Sequence, residues 1–121
     1  MLTLLVILAA GVGAVSRYVA DQVVQHRTSG PFPAGTLLVN LTGSLLLGVV
    51  TGLALHHGLP RTPTVVVGVG FAGGYTTLST WAWESLALAE FGELRAASLN
   101  IVGSFAVGLA AASAGLGLAL L

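Results

Sequence analysis

The chain contains no cysteine and very little charge. Of its 121 residues only 7% are charged, every basic residue is an arginine, and the acids balance them to a net charge of zero. The absence of cysteine excludes disulfides and thiolate metal sites, and the lack of a basic excess argues against nucleic acid as a partner. A soluble domain normally has about 25% charged residues, so this scarcity of charge predicts an integral membrane protein.

Apolar residues and glycine take the place of the missing charge. Hydrophobic residues make up 55% of the chain, the mean hydropathy is +0.98, and there are 17 glycines. A helix needs about 20 apolar residues to cross a lipid bilayer, and four windows supply them, at residues 2–20, 34–55, 64–90 and 96–120. The first window lacks the basic start of a signal peptide, so we interpret it as a membrane helix. We therefore expect one all-α membrane domain, residues 1–121, with four transmembrane helices.

The arginines give only a weak orientation signal. Arg61 lies in a loop on one side of the membrane, whereas Arg27 and Arg95 lie in loops on the other side, with Arg17 near that same end of the first window. Membrane orientation follows the excess of Lys and Arg in short loops. So small a bias predicts that the chain inserts in both orientations.

The second and fourth windows share the pattern N-x-x-G-S-x-x-x-G, which begins at Asn40 and at Asn100. Its residues step by three and four, so each helix has a narrow stripe of small and polar groups on one face. Such stripes are typical of close helix packing in membranes. Two glycine pairs have a spacing that fits the same packing: Gly48 with Gly52, and Gly70 with Gly74. An asparagine amide is costly in hydrocarbon unless it is paired or hydrated, so Asn40 is a candidate for function as well as for packing.

The third window is long for one crossing and contains GVGFAGGYTTLSTWAWE, residues 68–84. The double glycine weakens a helix, and Thr76 or Thr77 can cap a new one. We therefore predict two half-helices, residues 64–72 and 77–90, broken near Gly73–Gly74. Backbone groups freed at membrane depth must be satisfied by protein, water or an ion. Freed carbonyls suit a dehydrated cation, and a helix N-terminus with hydroxyl donors suits an anion. The alternative is a simple kink whose hydroxyls bond back to the preceding turn.

These stretches resemble the CrcB/Fluc family of fluoride channels. The resemblance rests on GVGAVSRY at 11–18, PAGTLLVNLTGSLLLG at 33–48 and GFAGGYTTLSTWAWE at 70–84. It implies four-helix subunits that form an antiparallel, dual-topology homodimer in the cell inner membrane, with two fluoride pores and a structural sodium ion at the dimer interface. It implies that the sodium ligands are the backbone carbonyls of Gly73 and Thr76. Pore or anion-attracting roles are implied for Arg17, Asn40, Leu78, Ser79, Thr80, Trp81 and Ser104.

One part of the motif departs from the family. The family has two phenylalanines, whose ring edges line the pore, at the positions of Leu78 and Trp81. Leucine has no ring edge. Either Trp81 and another aromatic residue suffice, or the fluoride pathway of this chain is altered.

The expected function is a channel that exports fluoride by passive diffusion and so lowers its toxicity in the cytoplasm. Two alternatives remain. One is a non-conducting subunit that pairs with a paralogous partner, and the other is a small dual-topology proton-coupled multidrug transporter. Such a transporter needs a carboxylate in its first helix, and residues 2–20 contain none. Enzyme activity is not expected, because no nucleophile–base pair or metal cluster is visible in the sequence.

Overall fold

The computed structural model describes the whole chain, residues 1–121, and it is entirely helical. α1 spans Leu2–Arg27, α2 spans Ala34–His56 and α5 spans Leu94–Leu118. These three helices are long and apolar enough to cross a membrane. α3, residues 61–75, and α4, Ser79–Glu90, together form a bent third segment. The predicted set of four helices with an interrupted third one is therefore confirmed.

α1 continues past its predicted end at residue 20, through Asp21, to Arg27. The polar extension packs on the start of α2. There the Gln25 side-chain oxygen accepts the backbone N–H of Gly35 at 3.1 Å, and a Cβ at Gly35 would collide with Asp21. The first N–H groups of a helix have no hydrogen-bond partner inside that helix. Gln25 of α1 therefore supplies an acceptor for the first turn of α2. The first helix thus contains a carboxylate after all, near its C-terminal end.

A glycine in the left-handed region of backbone conformation lies in each connection between the membrane segments. Gly30 has φ 94°, Gly58 has φ 66° and Gly92 has φ 81°. Side chains with a Cβ rarely adopt these angles. Glycine therefore allows the chain to reverse direction within a few residues and to return to the membrane.

Two pairs of helices, α2 with α5 and α1 with α3, approach each other at glycines. A Cβ added at any of these glycines would come within 3.0 Å of the facing segment. The glycines are Gly48, Gly52 and Gly115 in the first pair, and Gly13, Gly70 and Gly74 in the second. Helices in lipid associate by such close contact rather than by a hydrophobic driving force. The packing roles predicted for the two glycine pairs are confirmed.

The outer surface of the bundle is apolar. Only 18 of 121 residues are buried, and large side chains such as Leu8 and Leu109 are 58% and 60% exposed. In water this surface would be a liability, whereas in a bilayer it faces lipid tails.

The break in the third segment lies at residues 76–78, not at Gly73–Gly74 as predicted. Gly73 is helical, with φ −64° and ψ −38°, whereas Thr76 is extended, with φ −79° and ψ 160°. The double glycine has another use, because a Cβ at Gly74 would collide with the backbone of Ala10 in α1. Gly74 allows close packing on α1, and α3 runs through both glycines to residue 75. The two halves accordingly cover residues 61–75 and 79–90, not 64–72 and 77–90.

Candidate functional site

The break is held open by the side chain of Asn40 on α2. Its Nδ2 donates to the Thr77 carbonyl at 2.9 Å, and its Oδ1 accepts the Thr77 N–H at 2.8 Å. One amide therefore satisfies both polar backbone groups of a non-helical residue, as lipid cannot do. The sequence indicated that Asn40 must be paired or hydrated, but it did not reveal this partner.

Thr77 caps the second half-helix. Its Oγ1 accepts the backbone N–H of Thr80 at 3.2 Å and donates its own hydrogen to Thr80 Oγ1 at 3.0 Å. This is the interaction by which a hydroxyl residue begins a helix, so the capping role predicted for Thr76 or Thr77 belongs to Thr77. The Thr76 hydroxyl bonds back to the Ala72 carbonyl at 2.9 Å.

Two backbone carbonyls at the break, those of Gly73 and Thr76, have lost the N–H donors that a continuous helix would supply. The Thr77 N–H would meet the Gly73 carbonyl in a continuous helix, but Asn40 takes it instead. The Thr76 carbonyl accepts a hydrogen bond of 2.9 Å from Arg17 Nη1 on α1. Arg17 therefore brings a fixed positive charge to the break. Before the break, Val65–Ala72 forms wide π-helical turns, which are frequent at functional sites.

A cavity of about 520 Å³ opens beside the break, between α2, α3, α4 and α5. No charged side chain lines it. Six of the predicted site residues lie in its wall: Asn40, Gly73, Thr76, Leu78, Trp81 and Ser104. The other three do not. Ser79 and Thr80 are exposed on the first turn of α4, and Arg17 approaches the break from α1.

Trp81 is fixed by a buried network at the α4–α5 contact. Its indole Nε1 donates to the Asn100 carbonyl at 2.9 Å. The Asn100 side chain, which is fully buried, donates to Ser85 Oγ at 2.9 Å and accepts from Ser104 Oγ at 3.1 Å. Ser85 in turn donates to the Trp81 carbonyl at 2.8 Å. The shared N-x-x-G-S pattern indicated Asn100, but nothing in the sequence pointed to Ser85.

Leu78 lies at the mouth of the cavity and is 76% exposed. Phe105 on α5 lines the same cavity and is 74% exposed. An aromatic ring presents a positive edge to an anion, whereas leucine does not. The structure therefore places two aromatic residues, Trp81 and Phe105, in the cavity wall, although Leu78 stands where the family motif has its first phenylalanine.

Glu84, one turn beyond Thr80, points away from this cavity and lines a smaller one of about 440 Å³ with Gln25 and Trp83. Its Oε1 accepts a hydrogen bond of 2.9 Å from Thr36, which is 2% exposed. Its Oε2 is buried and has no hydrogen-bond partner. Glu84 thus belongs to the α2–α4 contact.

Comparison with known proteins identifies the family. Residues 4–116 match the family model described as "CrcB-like protein, Camphor Resistance (CrcB)". The chain belongs to the CrcB-like family. It is 48% identical over 116 residues to Fluoride-specific ion channel FluC 1 of Leifsonia xyli subsp. xyli, an alignment that covers 96% of this chain and 85% of that protein. It is 50% identical over 110 residues to FluC 2 of Mycolicibacterium paratuberculosis, covering 91% and 87% of the two chains. It is 39% identical over 115 residues to FluC of Methylobacterium nodulans, covering 94% and 92%.

The predicted resemblance is therefore confirmed over nearly the whole chain. CrcB-like membership and the three long apolar helices identify a multi-pass protein of the plasma membrane. The CrcB-like relatives are named as ion channels and not as enzymes, in agreement with the expectation that this chain is not an enzyme.

Proposed function

We propose that this chain forms a fluoride-selective ion channel that exports fluoride by passive diffusion. The observation that carries the proposal is the identity of 39–50% to fluoride-specific channels over nearly the full chain. The cavity at the interrupted helix supports it, because its wall combines amide, hydroxyl and ring-edge groups without any acid. Fluoride enters cells as the weak acid HF, dissociates in the cytoplasm, and leaves through the channel down its own gradient.

Selectivity in this mechanism comes from donors that replace the water around a small anion. Asn40 uses one of its two amide hydrogens on Thr77 and keeps the other for the pathway. The Thr80 hydroxyl accepts from Thr77 and so retains its own hydrogen, and Ser79 lies beside it on the exposed side of α4. Trp81 offers a ring edge, because its N–H is committed to Asn100.

Arg17 and Ser104 have narrower roles in this proposal. The Arg17 guanidinium raises the local potential for an anion near the break, while its hydrogen bond to Thr76 fixes its position. Ser104 donates to Asn100 and presents its oxygen to the cavity, so its hydroxyl must rotate before it can donate to fluoride.

The functional unit in this proposal is an antiparallel homodimer. Polar groups around an open cavity are costly against lipid tails, and a second copy would cover them. The weak arginine bias of the loops permits both orientations. Cysteine tags at the two ends, labelled from each side of the membrane, test this. Labelling of each tag from both sides is expected, and strict one-sided labelling would contradict dual topology.

A structural sodium ion at the dimer interface fits part of the break. The Gly73 carbonyl has lost its helical donor, and Gly73 lines the open cavity, so this oxygen can bind a hard cation. The Thr76 carbonyl has a second lone pair, but Arg17 occupies the first. Binding there requires Arg17 to share the oxygen or to move away. If sodium has this role, replacing it with N-methylglucamine lowers the thermal stability of the dimer.

A second candidate function is that of a non-conducting subunit that needs a paralogous partner. Leu78 favours this candidate, because leucine stands where the family motif has one of its two aromatic ring edges. Phe105 and Trp81 in the cavity wall favour conduction instead.

Fluoride efflux from liposomes that contain only this chain tests the proposal and separates the two candidates. The expected result is rapid release of fluoride under a valinomycin-shunted potassium gradient, without release of chloride. Release of fluoride at the rate of protein-free liposomes would reject homomeric conduction. Recovery of efflux on addition of a paralogous subunit would then support the second candidate.

A further inference from the structure

Hydroxyl groups on these membrane helices are committed to a bond within the protein wherever they are buried or half-buried, with the exception of Ser44, whereas several exposed ones, such as that of Thr51, are not. Those of Ser16, Thr42, Ser85 and Ser113 donate to the carbonyl four residues earlier, at 2.7–2.9 Å. This is the usual way in which a hydroxyl is satisfied in lipid. Ser44 is different. It lies in the middle of α2, is only partly exposed, and makes no hydrogen bond to the protein.

The Ser44 hydroxyl faces the cavity between α2 and α5. Asn40 is one helical turn earlier on the same face of α2, and both residues line the cavity wall. Opposite Ser44 lies Gly108 of α5, where an added Cβ would be 3.6 Å from Ser44 Oγ. Because glycine has no Cβ, no α5 side chain at this position covers the hydroxyl.

Four hydroxyl residues line the cavity: Ser44, Thr76, Thr77 and Ser104. Three of them have already donated their hydrogen. Thr76 donates to Ala72, Thr77 to Thr80, and Ser104 to Asn100. Ser44 is therefore the one hydroxyl in the wall with an uncommitted hydrogen. A dehydrated anion in the cavity needs such a donor, since a hydroxyl that has given its hydrogen away presents only lone pairs.

We propose that Ser44 is a fluoride-binding residue, which donates its hydroxyl hydrogen to the anion one helical turn beyond Asn40. This proposal rests on the proposed fluoride channel function. It assigns a direct role to a residue whose place in a small-residue stripe predicts packing alone, and it makes Ser44, rather than Ser104, the ready hydroxyl donor of the cavity.

Fluoride efflux from liposomes, measured against fluoride concentration, tests the proposal. Ser44→Ala is expected to lower fluoride efflux about tenfold or more, the size of one hydrogen bond to a charged group. Its thermal unfolding should match that of the wild type, because no bond within the protein is lost. Ser113→Ala is the matched control, since that hydroxyl bonds back to Leu109 and lies outside the cavity; its efflux should stay within about twofold of the wild type.

A second pair of variants separates the hydroxyl from the shape of the side chain. Ser44→Thr and Ser44→Val have nearly the same volume, and only the first keeps a hydroxyl. Efflux several-fold faster with threonine than with valine supports the proposal. Equal efflux from the two, or unchanged efflux from Ser44→Ala beside a conducting wild type, overturns it. A wild type that releases no fluoride overturns the channel function itself, and with it the role of Ser44.

Discussion

Replacing Asn40 with alanine removes both hydrogen bonds that hold the break, those to the Thr77 N–H and carbonyl. Each buried backbone group left without a partner costs about 1–3 kcal/mol, so two groups give roughly 2–6 kcal/mol. Thr77 lines the cavity and is only partly buried, so water can reach it and the lower end applies. At about 1.4 kcal/mol for each factor of ten, a loss of about 2 kcal/mol makes local opening roughly 30-fold more frequent.

Amide hydrogen exchange at Thr77 measures this opening directly. In Asn40→Ala the Thr77 N–H should exchange about 30-fold faster than in the wild type, while amides in the middle of α1 should not change. Thr51→Val on the exposed side of α2 is the control, because Thr51 makes no hydrogen bond to the protein, and it should leave Thr77 unaffected. Unchanged protection of Thr77 in Asn40→Ala would refute the claim that this side chain holds the break.

Asn40→Asp then separates the structural role of the residue from its role in the pathway. The carboxylate still accepts the Thr77 N–H, but it places a negative charge in the cavity wall and cannot donate to the Thr77 carbonyl. Fluoride efflux should be abolished although Thr77 remains partly protected from exchange. Efflux equal to that of the wild type would reject the placement of Asn40 on the anion pathway.

Three further predictions concern the aromatic residues and glycines of the third segment. Trp81→Phe should lower the free energy of unfolding by about 1 kcal/mol, because the indole hydrogen bond to Asn100 is lost, but it should keep fluoride efflux. Trp81→Leu should abolish efflux. Equal efflux from the two variants would contradict the role of the ring edge. Leu78→Phe should raise efflux by restoring the second ring edge of the family motif, and no gain would show that Leu78 does not limit conduction. Gly74→Ala should destabilise the protein by about 1–3 kcal/mol in a thermal unfolding assay, because its Cβ meets α1. Gly73→Ala should not destabilise it, because the space beside Gly73 is open. Similar losses of stability in both variants would contradict the packing described.

The architecture was predictable because lipid imposes a simple rule on sequence. Residues that cross a bilayer must be apolar over about 20 positions, and α2 begins and ends within a residue of the predicted window. The start of α1 at Leu2 agrees with the predicted window, but its C-terminal end was not predictable in this way. Asp21 and Gln25 are polar, and they remain helical because they contact Gly35 at the start of α2, which no local pattern reveals.

The site was predictable as a region but not in its bonding. The double glycine correctly marked the third segment as interrupted, yet the position of the break depends on Asn40, which lies 37 positions away from Thr77 along the chain. Local propensity favours a break at glycine. Tertiary contact decides otherwise, since Gly74 is needed against α1 and the Asn40 amide bonds both backbone groups of Thr77, which lies outside any helix.

Selection of fluoride by the cavity wall is tested most sharply by the reversal potential of current through the purified chain in a planar bilayer, with fluoride on one side and chloride at the same concentration on the other. We expect a steady current whose reversal potential lies close to the fluoride equilibrium potential, because the uncharged donors beside the break suit only a small dehydrated anion. A reversal potential near zero would show that chloride passes as readily as fluoride, and this would contradict the claim that the wall of this cavity selects fluoride.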